Sequence, residues 1–225
     1  NGYAAMKAEL KIYGVELVSI DLPAQVWKDR PALPVDPFFV FDTQYTGCAA
    51  TEKLTLVRAE LKKARANTFI MSALDDIAWL FNIRGKDVDY NPVVIAFALV
   101  EEQKATLFVA PEKLTDDTSA YLLSQGVDVA PYSAVYNSLN ALDSSKTVLV
   151  DGAKLNQSLF EAIPAACGIQ NTMSPVFKLK SIKNEVEMAG IRRAMIKDGV
   201  ALTRFFKWLE ENLKTGKLTE VSVDR

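Results

Sequence analysis

Between residues 50 and 66, apolar side chains recur every three or four positions, at Leu54, Val57, Leu61 and Ala64. Lys53, Arg58, Lys62, Lys63 and Arg65 fill the gaps between them. That period predicts an amphipathic helix capped by Thr51, with a buried stripe and a wet basic face. A solvated face is the reading adopted for the basic residues, in preference to an anion site. The runs Thr68–Met71, Val93–Val100, Ala105–Val109 and Thr147–Asp151 are apolar and β-branched without helical spacing, and predict buried strands. Glu101–Lys104 joins the second to the third as a hairpin. Shorter strands are expected at Val127–Ala130 and Gly168–Asn171, and further helices at Thr115–Ser124, Tyr132–Leu142 and Gln157–Ile163. Strands and helices in this order predict an α/β fold, a mixed β-sheet flanked by helices.

The flanks carry other patterns. Residues 4–13 read as a helix broken by Gly14, and Val15–Ile20 as a weak strand. Asp21–Pro37 contains four prolines and predicts a stiff extended linker, with Trp27 anchored on a neighbouring domain. Phe38–Phe41 reads as an edge or connecting strand. Ser174-Pro175 marks a second boundary, after which Ser181 caps a long helix. Its apolar stripe runs Met188, Ile191, Met195, Gly199, Leu202, Phe206, Leu209 and Leu213, and Gly216 ends it. The expected organisation is a tail of one domain at 1–21, a proline-rich linker at 22–45, a central domain at 46–173, and the first helix of a further domain at 174–225.

The densest stretch lies between Ser72 and Pro92. Ser72 or its neighbour caps a helix there, and Asp75 and Asp76 suit the positive end of its dipole. Leu74, Ile77, Ala78 and Phe81 face a core, and Asn82 and Gly85 stop the helix. A loop with Arg84, Asp87, Asp89 and Tyr90 follows, closed by Asn91-Pro92. A charged loop rooted beside a core strand can present side chains to a ligand, and Arg84, Tyr90 and Asn91 are its candidates. In the competing reading Arg84 pairs with Asp87 or Asp89 and only orders the loop. Asp75-Asp76 and Asp87 with Asp89 could in principle form catalytic carboxylate pairs, but acidic residues at a helix start more often serve its dipole. Asp151, at a strand end, occupies a favoured ligand position, yet local turn bonds are the reading preferred for it.

Composition narrows the chemistry. The chain has 225 residues, 49% apolar and 24% charged, which suits a folded globule. A net charge of −2 gives no electrostatic case for nucleic acid, and no apolar run approaches a membrane span. There is no histidine. That removes histidine-based triads, the usual zinc sites and histidine acid–base catalysis. Cys48 and Cys167 lack metal-ligand spacing and read as reduced structural thiols of a cytoplasmic protein. Neither a Gly-x-Gly-x-x-Gly nor a Walker loop is present. The chain opens on Asn1-Gly2, without a signal peptide or an initiating Met, and is expected to be a piece of a longer protein.

Ser72–Gly85, continued by Asp89-Tyr90-Asn91-Pro92-Val93, resembles the middle-domain signature of the three-domain Xaa-Pro aminopeptidases. Val26–Pro34 resembles the linker before that domain, and Gln44-Tyr45-Thr46-Gly47 its entry. Lys180–Glu187, Ile191–Ala194 and Lys197–Leu202 resemble the first helix of the catalytic domain. The resemblance implies a creatinase/prolidase N-terminal-like (ribonuclease H-like) domain, followed by the start of a truncated pita-bread domain. It implies release of the N-terminal residue from Xaa-Pro peptides by two divalent ions, expected to be manganese, that activate a bridging water. No position here matches one of that family's metal ligands, so this portion is expected to hold no cofactor and to be inactive alone. The middle domain is expected to cover the catalytic cleft and restrict access, with Arg84, Tyr90 and Asn91 on its cleft-facing edge. Expected partners are Xaa-Pro peptides and a homodimer copy, with no nucleic acid and no membrane. The alternative is an interaction or dimerisation module without substrate contact.

Overall fold

A computed structural model describes the chain except for Asn1, Ser19, Asp21, Thr215, Lys217, Arg225 and the side chain of Asp224. The strands are β1 (Phe39–Val40), β2 (Thr68–Met71), β3 (Ile83–Arg84), β4 (Phe97–Glu101), β5 (Ala105–Val109), β6 (Asp128–Pro131), β7 (Thr147–Val150) and β8 (Gly168–Asn171). The helices are α1 (Gly2–Ile12), α2 (Leu22–Val26), α3 (Thr43–Thr46), α4 (Ala50–Lys63), α5 (Leu74–Leu80), α6 (Asp116–Ser124), α7 (Ala134–Asn140), α8 (Gln157–Glu161), α9 (Pro175–Ser181), α10 (Glu185–Leu213) and α11 (Glu220–Asp224). They form two compact units: Asn1–Thr43 with Cys48–Ile182, and Gln44–Gly47 with Lys183–Arg225.

The first unit is built on a mixed sheet in the order β6-β5-β4-β2-β7-β8. The β2–β4 and β4–β5 pairs are antiparallel; β2–β7, β7–β8 and β5–β6 are parallel. Alternate side chains of the central strands enter two cores. Phe69, Met71, Ala98, Val100, Leu107 and Leu149 join Leu54, Val57 and Leu61 of α4, Ile77 and Leu80 of α5 and Leu122 of α6. Ile70, Leu99, Phe108, Val148 and Val150 join Val135 and Leu139 of α7 and Leu159 of α8. Helices therefore cover both faces, which is why these strands are apolar throughout rather than alternating. This is the mixed, helix-flanked sheet that the sequence predicts.

Several local expectations need correction. Helix α4 begins at Ala50, not behind a Thr51 cap, and the Glu52 carboxylate accepts the Ala49 N–H at 2.8 Å. Helix α5 follows Ala73 without a side-chain cap, and the Ser72 hydroxyl donates instead to the Lys154 carbonyl. The strand expected from Val93 starts only at Phe97, because the Ile95 N–H is taken by the Asp87 carboxylate. The long helix starts at Glu185, and Ser181 ends the separate helix α9. Its cap is Asn184, whose Oδ1 accepts the Glu187 N–H at 2.9 Å while Glu187 accepts the Asn184 N–H at 3.0 Å. Ser181 has no acidic residue three positions on to reciprocate in this way. In the same unit, Asn184 Nδ2 donates to the Thr46 carbonyl, and Gly47, at φ +64°, leaves no room for a Cβ beside Asn184.

The N-terminal flank differs too. The described residues of the expected strand Val15–Ile20 are not in a strand; Ser19 lies outside the described residues. The extended linker contains helix α2, with Pro23 in its first turn, where proline costs no hydrogen bond. Asp21, the first residue of that linker, lies outside the described residues. Trp27 is 54% exposed. Phe39–Val40 pairs with Ile83–Arg84, tying this flank to the candidate loop.

Candidate functional site

Helix α5 stops because Asn82 turns left-handed, at φ +52°. Asn82 is buried and bridged on both sides: its Nδ2 donates to the Cys48 carbonyl at 2.9 Å, and its Oδ1 accepts from Lys53 Nζ at 2.6 Å. Lys53 also donates to the Trp79 carbonyl at 2.9 Å and lies 4.3 Å over the Trp79 ring. Expected on the wet face of α4, Lys53 is 1% exposed. Its ammonium meets the carbonyl end of α5, where the helix dipole favours a cation. The wet-face expectation fails there because a helical period cannot show that a second helix ends against that position.

Strand β3 follows at once. Its pairing with β1 places Arg84 opposite Phe39, at the foot of the loop. The Arg84 guanidinium donates to the Ala78 carbonyl at 2.7 Å and the Ile83 carbonyl at 2.8 Å, and lies 4.7 Å over the Phe41 ring. The first of these bonds fastens it to the C-terminal turn of α5. Asp87, considered as its partner, accepts instead from Lys113 Nζ and from the Ile95 N–H at 2.6 Å. Val88 and Asn91 form an isolated bridge, with the Asn91 N–H donating to the Val88 carbonyl at 3.1 Å. Tyr90 stands between them at φ +60°, with its side chain fully exposed. Arg84 therefore lies at the base of the loop, and Tyr90 and Asn91 at its tip.

A second polar cluster sits where α5 begins. Asp76 is buried; its Oδ1 accepts from Lys180 Nζ and its Oδ2 from the Ser174 hydroxyl, both at 2.8 Å. Lys180 also pairs with Asp75. Burial pulls the Lys180 ammonium down, but its hydrogen bonds to Asp75 and Asp76 outweigh that and leave its pKa raised. Burial likewise pushes the Asp75 carboxyl up, and Lys180 more than offsets it, so Asp75 titrates below its ordinary value. Asp151 makes local turn bonds, accepting the Ala153 N–H at 3.1 Å, and its other oxygen accepts the Ser174 N–H at 2.9 Å. Both acidic residues of α5 are thus engaged by α9. Lys113 and Lys180 were not singled out from the sequence, because each partners a carboxylate 26 or more positions away.

Among the described residues, no three His, Cys, Asp or Glu side chains come together in a way that could hold a metal ion. The donor set of the described residues does not fit a dinuclear centre. No described helix is long and apolar enough to cross a membrane.

Comparison with known proteins places this architecture. The model of the Creatinase/Prolidase N-terminal domain matches residues 29–187, and the chain belongs to that family. A probable Xaa-Pro aminopeptidase P of Sordaria macrospora is 39% identical over 220 residues, covering 92% of this chain and 36% of that protein. The corresponding protein of Coprinopsis cinerea is 39% identical over 229 residues, 95% of this chain and 36% of its own length. The crystal structure of an X-prolyl aminopeptidase from Caenorhabditis elegans, described as a cytosolic enzyme with a di-nuclear active site, superposes with a TM-score of 0.87 at 31% identity. It covers 99% of this chain and 37% of that one. The chain thus spans little more than a third of the length of these relatives.

Proposed function

We propose that this chain is the non-catalytic portion of a metal-dependent aminopeptidase that releases the N-terminal residue from Xaa-Pro peptides. Residues 46–173 form the domain that covers the cleft and limits access to it. Residues 1–21 are the tail of a preceding domain, 22–45 a linker, and 174–225 the first helix of the catalytic domain. Arg84, Tyr90 and Asn91 lie on the edge that meets substrate. The hydrolytic groups, two divalent ions taken to be manganese and their ligands, then lie outside these 225 residues, and the enzyme is cytoplasmic. The observation that carries the reading is the match to the Caenorhabditis elegans enzyme along 99% of the chain, flanks included.

The loop suits such a role. The amide before proline is tertiary, and ordinary aminopeptidases handle it poorly. A site that selects it gains from a fixed rim that accepts a free chain end and holds a ring. Tyr90 offers an exposed aromatic face for that ring, and Asn91 offers an amide. The test is hydrolysis of Arg-Pro-Pro with added manganese, by this chain and by a version extended through the catalytic domain. Turnover by the extended protein alone is expected. Turnover by the 225-residue chain itself would overturn the reading.

A second reading has its own observation. Helix α10 has no buried residue, and Ile191, Met195, Leu202, Phe206 and Leu213 along its stripe are exposed. An uncovered apolar stripe of this length suits an interaction or dimerisation module, in which a second copy supplies the cover.

A further inference from the structure

The candidate loop is closed at its base by two tight contacts. A Cβ on Gly85 would come within 2.9 Å of the Val93 carbonyl oxygen and of Val94 Cγ2. Two residues on, Asp87 Oδ2 accepts both the Ile95 N–H and Lys113 Nζ. The side chains of this pair are 1% and 2% exposed. Asp87 Oδ1 is buried with no donor among the described residues, so the anchorage runs through a single oxygen. Lys113 arrives from another part of the sheet, in the 3₁₀ turn Pro111–Lys113 just after β5. Its own carbonyl accepts the Phe38 N–H at 3.4 Å, next to β1, which pairs with β3. One lysine thus ties together β5, the β1–β3 ribbon and the loop.

This is a costly way to hold a loop. Two charges are taken out of water, and an apolar pair of similar volume is often as stable or more so. What the ion pair adds is direction, since an anchor made through one oxygen fixes where the loop stands. The tip carries a second cost, because Tyr90 is a bulky residue in the left-handed region with its ring in solvent. Two such costs on the same ten-residue segment point to a use of the loop beyond stability. We propose that Asp87 and Lys113 are positioning residues for peptide binding. They hold the loop so that Tyr90 and Asn91 at its tip and Arg84 at its foot meet the substrate in one arrangement. This rests on the reading that the loop faces the substrate cleft.

The experiment uses the extended protein and the 225-residue chain, each carrying the double substitution Asp87→Leu/Lys113→Met. The melting temperature should fall modestly, because leucine in place of Asp87 cannot accept the Ile95 N–H, while the variant still unfolds cooperatively. Amides of Lys86–Asn91 should exchange faster in the 225-residue chain, and the KM for Arg-Pro-Pro should rise about five- to tenfold in the extended protein, with kcat changed less than about twofold. Unchanged KM in a folded variant overturns the proposal, whether or not exchange speeds up, and leaves the aminopeptidase reading standing. An extended parent that does not hydrolyse the peptide overturns both. Should the double variant fail to fold, Asp87→Glu carries the same comparison, since it keeps the charge and lengthens the anchor by one methylene.

Discussion

If the loop meets substrate as proposed, Arg84 has two roles that compete for one guanidinium. Its bond to the Ala78 carbonyl satisfies the end of α5, its bond to the Ile83 carbonyl stays within β3, and Phe41 shields one face. Truncation removes both roles, and Arg84→Ala in the extended protein is expected to raise KM for Xaa-Pro peptides about three- to tenfold. Arg84→Lys tests this: it keeps a cation but loses the planar guanidinium that lies over Phe41. If steady-state kinetics of Arg84→Ala match those of the parent, the residue only caps the helix. Lys53 shows the same economy in a purely structural setting, where one ammonium serves a helix end, an asparagine and an indole ring.

At the scale of elements, α9 is clamped to the start of α5. Lys180 reaches Asp75 and Asp76, and Ser174, which caps α9, donates to Asp76 as well. The pH dependence follows from the two shifts. Asp75 is depressed in the folded state, so its contribution is present above the unfolded carboxylate value of about 4 and is lost as pH falls through the lower folded value. Lys180 is raised, so its contribution is present below about 10.4 and is lost as pH rises through the higher folded value. Between these limits the clamp is intact. Lys180→Ala leaves Asp76 buried without its cation, and should cost about 1–3 kcal/mol at pH 7. Urea unfolding at pH 3 and pH 7 should show a smaller acid-induced loss in the variant than in the parent. An equal loss in both would mean that Lys180 does not set the acid response.

At the scale of the whole molecule, the two units raise different questions of stability. The sheet unit buries side chains on both faces of its central strands, and needs nothing further to form a core. The unit containing α10 leaves its apolar stripe in solvent. If a second copy covers that stripe, the mass in solution is that of a dimer, and removal of residues 183–225, which spares α9 and its clamp on α5, returns it to a monomer. A monomer at micromolar concentration in the intact chain would reject the dimerisation reading and leave the access-limiting one.

The period of apolar residues was enough to place the central helices and strands, because a two-sided core demands apolar runs in strands and a stripe in each covering helix. The family came from another signal, the resemblance of the Ser72–Val93 stretch to that family's middle-domain signature. Caps differ from the expectation at Thr51 and Ser181: α4 starts behind Ala49 with no side-chain acceptor, and α10 takes Asn184, whose partner Glu187 lies three positions on. The pairing of Phe39–Val40 with Ile83–Arg84, the burial of Lys53 and the exposure of Trp27 were not legible. Each depends on which distant segment comes to rest beside it. The candidate loop divides in the same way. Its composition marked it from the sequence, but that Asp87 would grip Lys113 and Ile95, leaving Arg84 to the helix end, was decided only when β5 and the β1–β3 ribbon closed around it. Local periodicity encodes which face of an element is buried; the partners of a buried charge are set by tertiary contacts that no local pattern contains.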